Sequence, residues 1–216
     1  MDETMIICRS NKRANLYNRG IRNTILYRED ELNSGDLLMV AKNNYYWGSE
    51  NKELDFIANG DVAVVRRMRR VREMYGFRFA DVVLTFPDYD DLELEVKVLL
   101  DTLHSDTPAL TREQSEHLFN AVQEDYKDIT VKRERMKKLK EDPYYNALQV
   151  KYAYAVTCHK AQGGQWKHVF IDQGYMTEDM LTPDYFRWLY TAFTRATETL
   201  YLVNWPKEQL TGNQEQ

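Results

Sequence analysis

The stretch Tyr152-Ala-Tyr-Ala-Val-Thr157-Cys-His159-Lys160-Ala-Gln162-Gly163-Gly164-Gln165-Trp166 passes directly from a buried strand into a polar loop that contains two glycines. In α/β proteins, ligands bind where strands end. Glycines allow a phosphate to approach the backbone, Thr157 and His159 offer hydrogen-bond donors, and Lys160 offers a compact positive charge. The stretch therefore predicts a phosphate site at a strand end. A tight loop with a surface lysine and histidine explains the same residues equally well.

A second stretch, Trp188 to Thr197, has the pattern of an amphipathic helix that ends in Arg195 just before a strand. This position would place Arg195 near another strand end. An arginine at a helix C-terminus also complements the helix dipole, which contributes about 0.3–1 kcal/mol. Position alone therefore leaves a structural and a phosphate-binding role open.

Both ends of the chain alternate between strand and helix patterns. The predicted strands are Thr4–Cys8, Val150–Val156, Val169–Asp172 and Thr199–Val203. Ser10 is placed to cap a helix after the first strand, and Thr182-Pro183 is placed to open another. The pattern predicts an α/β domain with a parallel sheet, formed by residues 1–32 and 145–210.

The middle of the chain predicts an inserted domain over residues 33–144. Turn signals at Asn33–Asp36, Asn59–Asp61 and Tyr75-Gly76 separate β-prone segments, which predicts a small antiparallel barrel over about residues 33–86. From Thr111 the pattern is helical, and Pro143 should end it. Residues 88–144 are therefore predicted to form a helical insert.

Composition narrows the class of protein. The 216 residues are 43% hydrophobic and 29% charged, which predicts an ordinary globular core. The 34 acidic and 29 basic residues give a net charge of −5, which argues against holding nucleic acid by bulk charge. Cys8 and Cys158 lack a paired spacing, so no metal site is expected. Without a secretory or membrane-spanning segment, we expect a cytoplasmic protein with no membrane partner.

The two stretches quoted above together resemble motifs V and VI of superfamily 1 DNA helicases, and the RecD type (similar to the exodeoxyribonuclease V alpha subunit) in particular. Ile7-Cys-Arg9-Ser-Asn11 is similar to motif IV, which opens the second RecA-like domain of that family. Gly35-Asp36 and Asn59-Gly60-Asp61 resemble turns of the SH3-like barrel inserted in that domain. The resemblance covers both ends and roughly residues 33–86, and residues 88–146 match no known pattern. It implies a RecA-like domain with an inserted SH3-like β-barrel.

The resemblance also implies a role for each matching residue. Arg195 would be an arginine finger that neutralises transition-state charge at the γ-phosphate of ATP, and Arg9 would be its companion at the same phosphate. The residues implied to contact single-stranded DNA are Thr157, His159 and Lys160. Those implied to approach the nucleotide are Gly163, Gly164 and Gln165. Gln165 stands where many relatives carry glutamate, so a ribose contact is retained and a charged role is not.

The implied function is that of the C-terminal part of a longer ATP-dependent DNA helicase in repair or recombination. No G-x-x-x-x-G-K-[ST] loop occurs in the sequence, so ATP and Mg²⁺ would be bound mainly by an N-terminal RecA-like domain, and this chain alone would be inactive. The implied partners are DNA, that first domain, and a nuclease or repair subunit. The alternatives are a non-catalytic nucleic-acid-binding module and a protein-interaction scaffold.

Three further groups offer surfaces for DNA. Strand alternation predicts that the arginines between positions 66 and 72 divide between two faces, with Arg66, Arg70 and Arg72 on one and Arg67 and Arg69 on the other. They would either protect a strand edge or contact the DNA backbone. The aromatic run at positions 45–47 would fill the barrel core or stack on bases. Lys132–Lys140 is expected to be chiefly a solvated helix.

Overall fold

The computed structural model describes residues 3–48 and 54–206, so the last four residues of the predicted α/β domain lie outside the described part. The chain divides into two compact units, one formed by residues 1–27 and 154–216 and the other by residues 28–153. In chain order the elements are β1 (Thr4–Cys8), α1 (Asn11–Gly20), β2 (Leu37–Val40), β3 (Val62–Met74), β4 (Phe77–Phe86), β5 (Leu92–Leu99), α2 (Arg112–Asp125), α3 (Lys132–Lys140), β6 (Leu148–Tyr152), β7 (Ala155–Thr157), β8 (Trp166–Asp172), α4 (Pro183–Phe193) and β9 (Ala196–Val203).

The first unit contains a four-stranded, fully parallel sheet in the order β7-β1-β8-β9. Central strand β1 is apolar on both faces, as expected of a strand in a covered parallel sheet, and Ile7 is completely buried. Cys8 lies opposite both Thr157 and Asp172, so three strands end at the same level. The carboxyl ends of β7, β1 and β8 therefore form one edge.

The second unit contains a closed barrel in the order β2-β3-β4-β5-β6. Its interior is filled from alternate positions of β4, where Ala80, Val82, Leu84 and Phe86 are at most 2% exposed. β3 and β4 meet at the predicted Tyr75-Gly76 turn, whose φ angles of 56° and 75° give the left-handed backbone of a two-residue hairpin. The parallel sheet and the closed barrel confirm the predicted fold class.

The barrel is longer in sequence than the 33–86 segment that we predicted. β5 lies within the predicted helical insert. β6 closes the barrel by pairing antiparallel with β2 and parallel with β5, so the prediction of a wholly antiparallel barrel is wrong. The predicted strand Val150–Val156 is divided, since its first part belongs to β6 and its last part to β7. Residues 152–156 are all buried, and each is apolar or aromatic, so the hydrophobic pattern contains no sign of the break at Ala153-Tyr154.

Helices α2 and α3 cover one end of the barrel's outer surface. Leu118 and Val122 of α2 and Leu139 of α3 pack with Phe77 and Phe79 of β4 in one buried cluster. Helix α2 begins with a capping box at Thr111, and α3 ends before the proline that the sequence places there. No helix among the described residues has the length and apolarity that a membrane span requires.

Candidate functional site

The carboxyl edge of the parallel sheet brings Arg9 close to the turn that begins at Thr157. Arg9 directly follows β1, and its neighbour Cys8 lies opposite Thr157 of β7. The Arg9 guanidinium carbon lies 5.8 Å from the ring centroid of Tyr185 and 6.0 Å from that of Trp188, within the range of cation–π attraction. The first turns of α4 thus hold an exposed arginine at this edge.

Asp172 ends β8 at the same edge and is completely buried. Its carboxylate accepts hydrogen bonds from Arg13 Nε, from the Gly174 amide at 2.9 Å and from Asn204 Nδ2 at 3.0 Å. Burial alone would raise the pKa of Asp172, but hydrogen bonds from Asn204, Arg13 and Tyr17 outweigh burial and lower the pKa below its ordinary value. Asp172 is therefore ionised and fixes Arg13 on α1.

A cavity of about 600 Å³ opens beside these strand ends. Its lining residues are Arg9, Ser10, Arg13, Asp172, Gln173, Gly174, Tyr175 and Asn204. Arg13 is neutralised by Asp172, whereas Arg9 forms no ion pair with any residue that the structure describes. Arg9 is thus the basic group at this cavity that is available to an anion. Sequence reasoning missed Arg13, Asp172 and Asn204, although a carboxylate at the end of an apolar strand was a usable signal.

The turn after β7 presents His159 to solvent. The Thr157 carbonyl accepts hydrogen bonds from the amides of Lys160 at 2.9 Å and Ala161 at 3.1 Å. Cys158 is buried, with Sγ 3.5 Å from the Trp188 carbonyl oxygen, so the side chain of His159 points away from the core. Burial lowers the pKa of the half-buried Lys160. The three residues implied to contact DNA therefore occur on one tight turn.

Gly163, Gly164 and Gln165 lie at the opposite, amino edge of the sheet, where the chain enters β8. Gly163 has a φ of +86°, which favours glycine. A Cβ atom at Gly164 would lie only 2.3 Å from the ring of Trp166. The two glycines are therefore required for different reasons, the first by the backbone and the second by a neighbouring indole. Gln165 is exposed.

Arg195 lies at this amino edge, between α4 and β9. Its Nε donates to the Thr191 carbonyl, its Nη1 to the Gly164 carbonyl and its Nη2 to Thr194 Oγ1, each at 3.0 Å. The hydrogen bond to the Thr191 carbonyl is a contact at the helix C-terminus. It corresponds to the structural role of Arg195 that the sequence left open. Three of the five N–H groups of Arg195 are used in this way, which leaves two for a phosphate.

The backbones of Arg9 and Arg195 lie at opposite ends of the parallel strands. Arg9 lies at the carboxyl edge with Thr157, His159 and Lys160. The backbone of Arg195 lies at the amino edge, but its guanidinium donates to the Gly164 carbonyl, and the Gly164 amide donates to the Ala161 carbonyl in the turn that begins at Thr157. The joint role of Arg9 and Arg195 at one phosphate therefore stays a prediction.

The five arginines between positions 66 and 72 lie on one strand, β3, whose pairing register is shifted. Eleven residues of β3, Val64–Met74, pair with the nine residues Phe77–Thr85, because two β-bulges each add one residue. The bulges fall between Val65 and Arg67 and between Met68 and Arg70.

The bulges place the arginines on the outward face of the barrel. Arg67, Arg70 and Arg72 lie opposite the outward residues Val83, Asp81 and Phe79 of β4. The bulge residues Arg66 and Arg69 bind Thr85 Oγ1 and the Glu95 carboxylate on the same face. The predicted division between two faces is therefore wrong, because it assumed an uninterrupted alternation.

The arginines differ in whether they are neutralised. Arg69 pairs with Glu95, Arg66 lies 3.6 Å from Glu93, and Arg72 donates to Tyr144 Oη at 3.2 Å. Arg67 and Arg70 form no ion pair or hydrogen bond through their side chains within the described part of the chain. β3 pairs with β2 only as far as Val64, so the rest of β3 has one free edge. Protection of that edge against association also explains why its side chains are charged.

The aromatic run is divided between surface and interior. Tyr45 is 65% exposed and stacks on Phe56 with a centroid separation of 5.1 Å. Tyr46 and Trp47 are half-buried, and Trp47 Nε1 donates to the Asn146 carbonyl at 2.8 Å. Helix α3 buries Leu139 and exposes most of its lysines, as expected for a solvated helix. Within the described ranges, no three His, Cys, Asp or Glu side chains meet as metal ligands.

Comparison with known proteins supports the resemblance in its coarser form. Residues 152–203 match the UvrD-like helicase C-terminal domain. An uncharacterized protein of Acanthamoeba polyphaga mimivirus, R530, is 22% identical over 239 residues, which cover 91% of this chain and 47% of the viral protein. The chain thus spans about half the length of the curated relative that it matches.

Two solved structures have a similar fold. The Pif1 helicase from Bacteroides in complex with ADP-AlF3 and ssDNA has a TM-score of 0.52 at 13% identity, and the match covers 99% of this chain and 43% of that one. A structure of two coordinating Pif1 helicases at forked dsDNA has a TM-score of 0.50 at 12% identity. That match covers 99% of this chain and 42% of the other. Together with the UvrD-like match, these folds support the C-terminal region of a superfamily 1 helicase. Residues 152–203 are thus similar to the UvrD kind of helicase, and the fold of the chain is similar to that of the Pif1 kind.

Proposed function

We propose that this chain is the second RecA-like domain, with its inserted barrel, of an ATP-dependent DNA helicase of the RecD type that translocates on single-stranded DNA and unwinds duplex. The observation that carries the proposal is that Arg195 is hydrogen-bonded to the loop that begins with Thr157, His159 and Lys160. Thr157, His159 and Lys160 lie at the carboxyl edge, and Arg195 with Gly164 lies at the amino edge. A translocating enzyme needs two such places, one for the strand and one for the nucleotide.

The carboxyl edge supplies the contacts to DNA. His159 and Thr157 have donors suited to phosphate oxygens, and Lys160 adds a positive charge. Arg9 is the available arginine beside them, and its place near this turn favours a contact with an anion at the carboxyl edge. The similar Pif1 helicase from Bacteroides forms a complex with ssDNA, which supports DNA as the ligand.

The amino edge supplies the contact to ATP. The two free N–H groups of Arg195 fit a phosphate oxygen, and the adjoining backbone at Gly163 permits close approach. When bound, ATP supplies the phosphoryl transfer that drives the cycle. Because the sequence has no phosphate-binding loop, ATP and Mg²⁺ would be held mainly by a first RecA-like domain, with Arg195 placed to neutralise developing charge.

The hydrogen bond between Arg195 and Gly164 offers a mechanical link between the two places. Gly164 lies seven residues after Thr157 on the same loop, so a shift of Arg195 toward a phosphate would change the support of the loop that carries the DNA contacts. We infer that closure of the cleft between the two RecA-like domains is coupled by this route to the strength of DNA binding. The proposed partners are a first RecA-like domain and a nuclease or repair subunit. The proposed location is the cytoplasm.

Binding of a labelled single-stranded oligonucleotide, followed by fluorescence anisotropy across a salt series, tests the carboxyl edge. The double variant Thr157→Ala/His159→Ala should weaken binding and reduce the salt dependence, because phosphate contacts release counterions. The matched control is Lys167→Ala, an exposed lysine of the same sheet that pairs with Glu3. Equal binding by the double variant and the unaltered chain would overturn this assignment.

A further inference from the structure

A second cavity lies in the barrel unit and belongs to neither edge of the parallel sheet. Its volume is about 500 Å³, and it lies between the segment after β2, helix α2 and the segment that leads into β6. Leu118 and Ala147 are its buried apolar residues, whereas Lys42 and Lys140 are exposed. The helical part of this unit, which matched no known pattern, thus helps to form a concave site.

The charges at this cavity favour an anion. Lys42 and Lys140 have no side-chain partner among the described residues, and no described carboxylate lines the cavity. Lys137 and Lys138 of the same helix differ, since each lies 3.9 Å from a Glu141 oxygen. In a chain with a net charge of −5, two lysines that form no ion pair within the described ranges give this cavity a local positive charge.

An aromatic surface adjoins the lysines. The exposed ring of Tyr45 is held by stacking on Phe56, with an angle of 29° between the ring planes. Tyr145, on the other side of the cavity, is held edge-on against Phe119. A fixed and exposed aromatic ring offers a stacking partner to a planar group such as a nucleobase.

The amide groups of the cavity wall are fixed by hydrogen bonds. Asn44 Nδ2 donates to the Asn146 carbonyl, and Asn146 Nδ2 donates to the Lys140 carbonyl, each at 2.8 Å. Gln149 Oε1 accepts the Leu110 amide at 2.9 Å, which orients the Gln149 NH₂ group and leaves it available as a donor. The site therefore combines cations, a planar apolar surface and a fixed hydrogen-bond donor.

The geometry points to a nucleotide as the ligand of this cavity, with its phosphate bound by Lys42 and Lys140 and its base stacked on Tyr45. Gln149 would donate to an acceptor on the base or sugar. The nucleotide would be either a free mononucleotide or one unit of a single strand, because both present the same phosphate and base. The inference rests on the barrel unit alone and does not depend on the proposed helicase function.

Photocross-linking locates the ligand directly. A (dT)12 oligonucleotide that contains 5-iodouracil is irradiated with the chain, and the attached peptides are mapped. We expect attachment within residues 42–46 or 145–149, and we expect Thr157→Ala/His159→Ala to leave the mapped positions unchanged even where the total amount of bound oligonucleotide falls. Failure of the helicase proposal and failure of this one are therefore distinguishable.

Affinity measurements complete the test. The variant Lys42→Ala/Lys140→Ala should bind (dT)12 about tenfold more weakly, and the slope of log affinity against log salt should fall by about 1.4 if each lysine neutralises one phosphate. Tyr45→Ala should also weaken binding about tenfold. The matched control Lys137→Ala/Lys138→Ala should remain within about twofold of the unaltered chain.

Thymidine 5′-monophosphate distinguishes the two sources. Binding of the mononucleotide that is lost in the Lys42/Lys140 variant would assign the cavity to a free nucleotide, whereas binding of (dT)12 alone would assign it to a strand. Attachment only outside the two named segments, or equal affinity of the Lys42/Lys140 variant and the unaltered chain for both probes, would overturn the proposal.

Discussion

Arg195 Nη1 donates a hydrogen bond to the Gly164 carbonyl oxygen at 3.0 Å, and so joins two segments that are 31 residues apart in sequence. The contact is reinforced by the backbone, because the Trp166 amide donates to the Arg195 carbonyl at 2.9 Å. The arginine proposed to act on ATP is therefore also a structural link between the loop before β8 and the end of α4. Any substitution of Arg195 changes both roles.

We predict that Arg195→Ala lowers the free energy of unfolding of this chain by about 1–3 kcal/mol, because three hydrogen bonds of a half-buried guanidinium are lost. Urea denaturation measures the change.

In a full-length enzyme the same variant should lose ATP turnover and retain ATP binding, because the charge acts mainly on the transition state. Arg187→Ala is the control, since Arg187 is an exposed arginine of α4 paired with Asp184. Near-normal turnover in Arg195→Ala would exclude the finger role.

Gly164→Ala should destabilise the chain by about 1–3 kcal/mol, because the new Cβ would overlap the indole of Trp166 and force it to move. Gly20→Ala provides a control of opposite sign. Gly20 is the last residue of α1 and has no neighbour within 4 Å of a built Cβ, so alanine should stabilise by about 0.5–1 kcal/mol. Urea denaturation of the two variants compares them. Equal stability of Gly164→Ala and the unaltered chain would show that Trp166 adapts without cost.

Asp172 should make the free energy of unfolding depend on pH in the acid range. Its pKa in the folded chain lies below the ordinary value of 3.8, so its contribution is complete above that value and is lost as the pH falls through the folded pKa. Asp172→Asn should therefore be less stable at pH 7, by about 1–3 kcal/mol, and should lose less stability than the unaltered chain between pH 5 and the acid range. Unfolding by urea at several pH values measures this difference.

The control for that experiment is Asp184→Asn, which changes an exposed carboxylate at the start of α4. It should keep the acid dependence of the unaltered chain. The same acid dependence in Asp172→Asn would show that the buried carboxylate is not the group responsible.

Arg67 and Arg70 should contribute more to DNA binding than Arg69, because Glu95 already neutralises Arg69. If both contact phosphates, Arg67→Ala/Arg70→Ala should reduce the salt slope of single-stranded DNA binding by about 1.4. Arg112→Ala on helix α2 is the control, since Arg112 pairs with Glu116. An unchanged slope would leave edge protection as the role of these arginines.

Local signals in the sequence predicted several elements well. Ser10 caps α1 through its side chain, and the Tyr75-Gly76 turn joins β3 to β4. In both cases the interactions involve residues that are close in sequence, so the chemistry of a few neighbouring side chains determines the backbone. The motif V turn is similar, because the Thr157 carbonyl and the Lys160 amide are three residues apart.

Other elements depended on distant parts of the chain. The segment Leu92–Leu99 alternates between apolar and charged residues, which was a usable strand signal, yet only its pairing with β4 and β6 shows that it belongs to the barrel. The backbone positions of Arg9 and Arg195 also could not be predicted from the sequence. Both follow strand or helix ends, and only the strand directions show that these ends lie on opposite edges.

The two bulges of β3 have a consequence for changes in chain length. The extra residues at Arg66 and Arg69 stand outside the regular ladder, so deletion of either one would restore simple pairing instead of reversing the faces of all later residues. Insertions and deletions in a barrel strand ordinarily move the core side chains to the surface. At these two positions the strand can lose a residue while Ala80, Val82 and Leu84 keep their partners in the interior.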